Sequence, residues 1–158
     1  RSTYINQGIG RLAPFIFDTH WYPAENFGRW LRGGAGTLTF MTAQRSQSPV
    51  RILLGVVTVP WYEGLPLDLW ANETKLGSVV LQPDARRYLA LTTVPDQHGT
   101  VKLGLAIRGP IAPGPDERKD LSVGLTTIGY ASGDDIAARI DMLEALLGDR
   151  GDLVVVER

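Results

Sequence analysis

Read for polarity alone, the chain alternates with a period of two over much of its length. Val101, Leu103, Leu105 and Ile107 interleave with Lys102, Gly104, Ala106 and Arg108. Side chains two apart on a strand share a face, so this pattern predicts a half-buried strand. The same rule marks Leu38 and Phe40 between Thr39 and Met41, and Leu121, Val123, Leu125 and Thr127 on the way to Tyr130. Val50 to Val59 is rich in β-branched residues and stops at Pro60, which predicts a central strand. Leu65, Leu67 and Leu69 share one face before Asn72-Glu73, and Lys75 to Leu81 returns, which predicts a hairpin. Arg87 to Val94 lies between turns at Pro83-Asp84 and Asp96 to Gly99. Phe15-Ile16-Phe17 predicts one short strand in an extended lead-in, and Leu153 to Val156 a last one.

The period changes after Ser132. Ser132-Gly133-Asp134-Asp135 offers N-cap residues with acids suited to a helix N-terminus. Ile136, Ile140, Leu143, Leu146 and Leu147 then fall on one helical stripe, and Gly148 is a stop signal. About eight or nine short strands at roughly ten-residue spacing, plus one late helix, predict an all-β fold. The expected architecture is an antiparallel β-sandwich or jelly roll with one C-terminal amphipathic helix. Residues 1–131 are expected to form the sandwich, and 132–158 a helix and short strand packed on it or extending it.

Composition sharpens this picture. The 18 glycines and 10 prolines among 158 residues exceed the roughly 12% of average usage and fit a chain with many turns. A mass of 17.3 kDa suits one hydrophobic core. The formal net charge of -1 supplies no general attraction to nucleic acid or anionic lipid. With no cysteine, disulfides, thiolate metal sites and thiol nucleophiles are excluded. The longest apolar run, Ile52 to Pro60, is interrupted by Thr58 and falls short of the ~20 residues of a membrane helix, so no direct membrane insertion is expected. The first residues, Arg1-Ser2-Thr3-Tyr4, contain neither an initiator Met nor a signal-type apolar run, and suggest a piece of a larger protein. The loop from Gly109 to Asp120 is rich in proline and charge and is expected to be exposed.

The residues that usually carry chemistry are scattered. His20 and His98 have no partner at metal or triad spacing. No G-x-S-x-G occurs, and Ser78 and Ser122 fall within strands. Gly33-Gly34-Ala35-Gly36 precedes a strand rather than a helix, the reverse of a dinucleotide loop. Loop carboxylates Glu25, Glu63, Asp116 and Glu117 are the types that glycoside hydrolysis employs, but nothing in the sequence pairs any two of them. No catalytic residue, metal or other cofactor is therefore expected. The aromatics are better placed: Trp21, Tyr22, Phe27 and Trp30 crowd one segment, and Trp61-Tyr62 follow Pro60. Sugar rings present C–H faces that stack on aromatic planes. Trp21, Tyr22, Trp61 and Tyr62, with Glu25, are thus candidate glycan contacts; the alternative is that these rings plug the ends of a sandwich.

The succession His20-Trp21-Tyr22-Pro23-Ala24-Glu25, then Arg29-Trp30 and an alternating strand, resembles the opening of a bacterial accessory β-sandwich domain. Such domains occur attached to, or near, polytopic membrane glycosyltransferases and other cell-surface polysaccharide proteins, and resemble carbohydrate-binding modules. Pro66-Leu67-Asp68-Leu69-Trp70-Ala71-Asn72 is similar to that family's hairpin, and Leu76 to Leu81 to its return strand. Pro115-Asp116-Glu117-Arg118, followed by Leu121-Ser122-Val123-Gly124-Leu125, resembles its last motif. The likeness spans residues 5–130. It departs at Glu73 and Ser122, where glycines are usual, and in everything after Ser132.

The resemblance implies a non-catalytic jelly roll outside the cytoplasm, in the periplasm or at the cell surface, as part of a larger protein or complex. Its partner would be a glycan, a membrane glycosyltransferase or another protein chain, and no nucleic acid. The same residue types also allow a structural clasp of Arg29, Trp30, Asp116 and Arg118. In it, Glu25 would pair with Arg29 or Arg118, and Asp116 with Arg118, across one end of the sandwich. Two further readings stay open: an assembly module that docks a partner through the helix Ile136 to Leu147, and a small glycoside-acting enzyme. Asn72-Glu73-Thr74 is a formal glycosylation sequon, and the bacterial-type resemblance argues against its use.

Overall fold

A computed structural model describes residues 4–7, 15–42, 48–115, 120–132, 135–147 and 152–156. In chain order the strands are β1 (Tyr4–Gln7), β2 (Ile16–Phe17), β3 (Arg29–Arg32), β4 (Ala35–Met41), β5 (Val50–Thr58) and β6 (Pro66–Ala71). They continue with β7 (Thr74–Val80), β8 (Arg86–Thr93), β9 (Thr100–Ile107) and β10 (Leu121–Ser132), then helix α1 (Ile136–Leu147) and β11 (Asp152–Val155). The first sheet runs β1-β10-β5-β8-β11, with β3 pairing the same edge of β10 as β1; the second runs β2-β4-β9-β6-β7. Pairing is antiparallel except that β11 lies parallel to β8.

The chain changes sheet at nearly every connection. Among the described residues, only β6 and β7 form a hairpin within one sheet. The turn at Asp96 to Gly99 is therefore not a hairpin turn but an arch between sheets, in which Asp96 Oδ1 accepts from the His98 and Thr100 amides. Strands β1 and β3 carry no clear alternation of their own. They are strands because β10 offers them an edge of backbone N–H and C=O groups with which to pair.

One apolar layer fills the space between the sheets. Val50, Ile52, Leu54 and Val56 of β5, with Leu121, Val123, Leu125 and Ile128 of β10, face Leu38, Leu67, Leu69, Leu103 and Leu105 of the second sheet. Leu125 and Ile128 share this face although three residues apart, because a bulge between Leu125 and Thr127 absorbs one residue. Phe15, Phe40 and Tyr130 close one end, with Phe40 and Tyr130 stacked at 4.8 Å.

Two local features depart from expectation. In the β6–β7 turn both Asn72 (φ 46°) and Glu73 (φ 69°) are left-handed, a conformation that suits Asn-Gly and is unfavourable for glutamate. The Asn72 amide donates to Thr100 O and accepts from Lys102 N, which ties this turn to β9. The helix also presents a different face from the one its apolar stripe predicts. Asp135 supplies the N-cap, accepting from the Ala138 amide. The helix then packs through Ala138 and Met142 onto Leu53, Tyr88 and Ala131, on the outer surface of the first sheet. Ile136, Ile140 and Leu143 of the stripe stay exposed. The small Ala138 permits a close approach to the sheet, which periodicity alone does not weigh.

Replacing Glu73 with Gly should relieve the left-handed strain and stabilise the chain by about 0.5–1 kcal/mol in denaturant unfolding; a loss of stability would contradict the turn assignment. Met142→Ala should cost about 2 kcal/mol or more, whereas Ile140→Ala should stay within about 0.5 kcal/mol. The opposite ranking would mean that the stripe is the docked face.

Candidate functional site

The segment from His20 to Tyr22 pairs with β3. Tyr22 N donates to Trp30 O, Arg32 N donates to His20 O, and Trp21 bridges Leu31. Alternation then sends Trp21 inward and Tyr22 outward. Trp21 is 4% exposed, its Nε1 donates to Thr37 O at 3.0 Å, and Phe17 meets it edge-on. Tyr22 instead turns its hydroxyl to Asp120 at the start of β10, donating to Oδ1 at 2.5 Å. That hydrogen bond, with burial and the nearby carboxylate charge, raises the phenol above its usual range. The Arg32 guanidinium lies over the Tyr22 ring at 4.7 Å.

A tight turn follows, in which Glu25 and Gly28 exchange backbone hydrogen bonds. Gly28 has φ 148° and presses on β10: a Cβ there would stand 2.0 Å from Leu125 O. Only glycine permits this approach. Beside it, Phe27 and Trp30 pack at 4.9 Å across Gly124, where a Cβ would come within 2.9 Å of the indole. The loop is thus pressed flat on β10, and its free side forms an open pocket of about 380 Å³ lined by Tyr22, Pro23, Glu25, Trp30 and Asp120.

Of the expected glycan contacts, Tyr22 and Glu25 meet in this pocket, and Trp30, expected in a clasp, joins them. Trp21 and Tyr62 do not, since both are core residues with 4% exposure. Tyr62 donates to Leu65 O, and burial pushes its phenol up to about 12. Trp61 is half-buried against the core, and its indole N–H is enclosed without a hydrogen-bond partner. Arg29 does clasp the loop, but not through Glu25: its guanidinium covers the Phe17 ring at 4.7 Å and donates to Tyr22 O. Burial lowers its pKa. Asp116 and Arg118 lie outside the described residues. Among the described residues no group of three or more His, Asp and Glu is placed to hold a metal ion.

One exposed aromatic was missed. Trp70 stands on the outer face of the second sheet beside Asp68, whose carboxylate is held well below its usual range, chiefly by Arg108 and then by Ser78. The signal was present: if Leu67 and Leu69 face the core, alternation puts Asp68 and Trp70 on the other side.

No family model and no curated protein sequence matches the chain. Solved structures do share its fold. It superposes on the CBM36-1 domain of a multidomain xylanase from the hindgut metagenome of Trinervitermes trinervoides with a TM-score of 0.52 and 11% identity, over 83% of this chain and 98% of that one. A carbohydrate-binding module CBM36, solved with calcium and xylotriose, gives 0.50 and 12% identity over 81% and 99%. An acetyl xylan esterase from the rumen bacterium Butyrivibrio proteoclasticus gives 0.54 and 10%, over 98% of this chain and 49% of the esterase, so the chain spans about half of that enzyme. The architecture is that of a carbohydrate-binding-module-like β-sandwich.

A core position for Tyr62 has a titratable consequence. Its raised pKa means that its contribution to stability is complete below about pH 10, the unfolded value, and is lost as pH rises through about 12. In an absorbance-monitored alkaline titration, Tyr62→Phe should remove a step near pH 12; removal of a step near pH 10 instead would place Tyr62 at the surface.

Proposed function

We propose that the chain is a non-catalytic carbohydrate-binding module whose glycan site is the pocket of Tyr22, Glu25, Trp30 and Asp120. The observation that carries this reading is the convergence, at one end of a sandwich, of two aromatic rings and two carboxylates around one open concavity. Aromatic faces match sugar C–H faces, and carboxylates accept paired hydroxyl hydrogen bonds, so the set suits a neutral saccharide. The loop is preorganised by the Gly28 and Gly124 contacts, which lowers the ordering cost of binding. The fold shared with the two xylan-related modules supports the same ligand class.

Nothing in the pocket supplies a nucleophile with its base. The Tyr22 hydroxyl is committed to Asp120, so the carboxylates are read as hydrogen-bond acceptors for sugar. The reading extends to an accessory role outside the cytoplasm, in a surface-polysaccharide or glycosyltransferase system. That extension is supported by the motif resemblance of residues 5–130.

Glycan-array binding with Glu25→Ala and Tyr22→Phe tests the site. Glu25 is exposed, so its removal should leave the unfolding midpoint unchanged. Loss of a charge-assisted hydrogen bond worth about 1.5–3 kcal/mol should weaken binding by about tenfold or more. Undiminished binding by both variants would move the site elsewhere, and release of reducing sugar from a bound glycan would refute the non-catalytic reading.

A further inference from the structure

The outer face of the second sheet carries a second arrangement. Four strands stand there in register: Thr37 of β4 opposite Gly104 of β9, Gly104 opposite Trp70 of β6, and Trp70 opposite Lys75 of β7. The neighbouring row is Ala35, Ala106, Asp68 and Ser78. On the β9 side of Trp70 these two rows hold nothing larger than threonine, so the indole borders a shallow trough. A Cβ at Gly104 would lie 3.4 Å from the Trp70 Cβ, so the base of the indole stands beside bare glycine backbone. Trp70 as a whole is 38% exposed. A tryptophan left at the surface of an inner strand, over small residues, is an uncommon use of the most hydrophobic surface a side chain offers.

The flank of the trough is rigid and cationic. Arg108 donates to both oxygens of Asp68, Nη2 at 2.6 Å and Nε at 3.2 Å, and its Nη2 reaches Ser78 Oγ at 3.1 Å. Ser78 donates to Asp68 as well, and the Lys75 ammonium stands 3.5 Å away. Asp68 is 14% exposed, while Lys75 and Arg108 are 42% and 56% exposed. The Asp68 carboxylate is thus enclosed by its partners, and its cations face water. At the outward positions of β4, β6, β7 and β9 and the adjoining Arg108, charge is carried by Lys75, Lys102 and Arg108 against Asp68, and Asp18, which accepts from Thr37, borders the far end of the row. This excess of positive charge sits on a chain of net charge -1.

We propose that this face is a second saccharide site and that it takes an acidic, uronate-bearing polysaccharide. The proposal rests on the carbohydrate-binding reading, though not on the pocket, whose Glu25 and Asp120 repel uronates. The Trp70 indole receives the C–H face of one sugar across the Gly104 trough. Lys75 directly opposite and Lys102 on the diagonal bracket that ring, within the roughly 7–8 Å of diagonal cross-strand neighbours. Carboxylates on flanking sugars meet these ammonium groups. Stacking fixes the ring, and charge selects the polymer.

Affinity electrophoresis through gels containing polygalacturonate, hydroxyethylcellulose or polyglutamate tests this, at low and at high salt. Polygalacturonate should retard the chain, less so at high salt, while polyglutamate, which has charge but no ring, should not. Trp70→Ala, and separately the pair Lys75→Met and Lys102→Met, should each weaken the polygalacturonate effect by about tenfold. Gly104→Val, which fills the trough at a position that strains no backbone, should weaken it too. Circular dichroism of each variant confirms that the loss is not unfolding. Equal retardation by polyglutamate, or full retardation of the lysine and Gly104 variants, overturns the proposal. Binding of neutral glycans without polygalacturonate overturns this site alone, whereas binding of neither overturns the carbohydrate reading with it.

Discussion

Successive side chains on a strand point to opposite faces, and in this sandwich one of the two parities is committed to a single apolar layer. Once Leu38, Leu54, Leu69, Leu103 and Val123 face inward, the alternate positions are consigned to the outside. Slipping a strand by one residue would exchange the two sets and expose the core. This constraint governs both surfaces proposed as sites. Between neighbours, it buries Trp21 and frees Tyr22, and it buries Leu69 and frees Trp70. The bulge in β10 belongs to the same logic, since it lets Leu125 and Ile128 both reach the core where strict alternation would not.

Where alternation stops, close backbone approach takes over. The loop before β3 has no regular structure to hold it, and it is fixed by Gly28 against Leu125 O and by Phe27 and Trp30 lying over Gly124. Arg29 adds a cation over Phe17 and a hydrogen bond to Tyr22 O. These contacts place Tyr22 and Glu25 beside Asp120, a residue far away in sequence. The resulting pocket is acidic, whereas the Trp70 face is basic. The two aromatic surfaces thus differ in local charge, which would separate the ligands proposed for them by electrostatics rather than by shape.

Much of this was legible beforehand. The strands from β4 to β10, apart from the lengths of their ends, follow from the alternation of Leu, Val and Ile, and the hairpin at Asn72-Glu73 from its turn residues. The strands that escaped, β1 and β3, are those whose pairing rather than composition makes them strands. For the proposed site, the crowding of Trp21, Tyr22, Phe27 and Trp30 marks a segment in which the structure buries Trp21 and leaves Tyr22 and Trp30 lining a pocket. Aromatic content says that a region buries or stacks, and burial is settled by the partner strand. The expected Glu25–Arg29 pair shows the same gap: spacing brought the charges near, but the Phe17 face and the Tyr22 carbonyl compete for the guanidinium.

What the sequence determined by itself was local and periodic: a turn-rich, cysteine-free chain of alternating strands and one capped helix. Those follow from the period of two, from φ preferences and from which side chains exist at all. The tertiary structure decided which parity of each strand is buried where the pattern is weak, which face of the helix docks, and which distant residues share a pocket. It did so because these outcomes depend on contacts between segments far apart in the chain, where packing, a bare glycine or an opposing charge selects among arrangements that are locally equivalent.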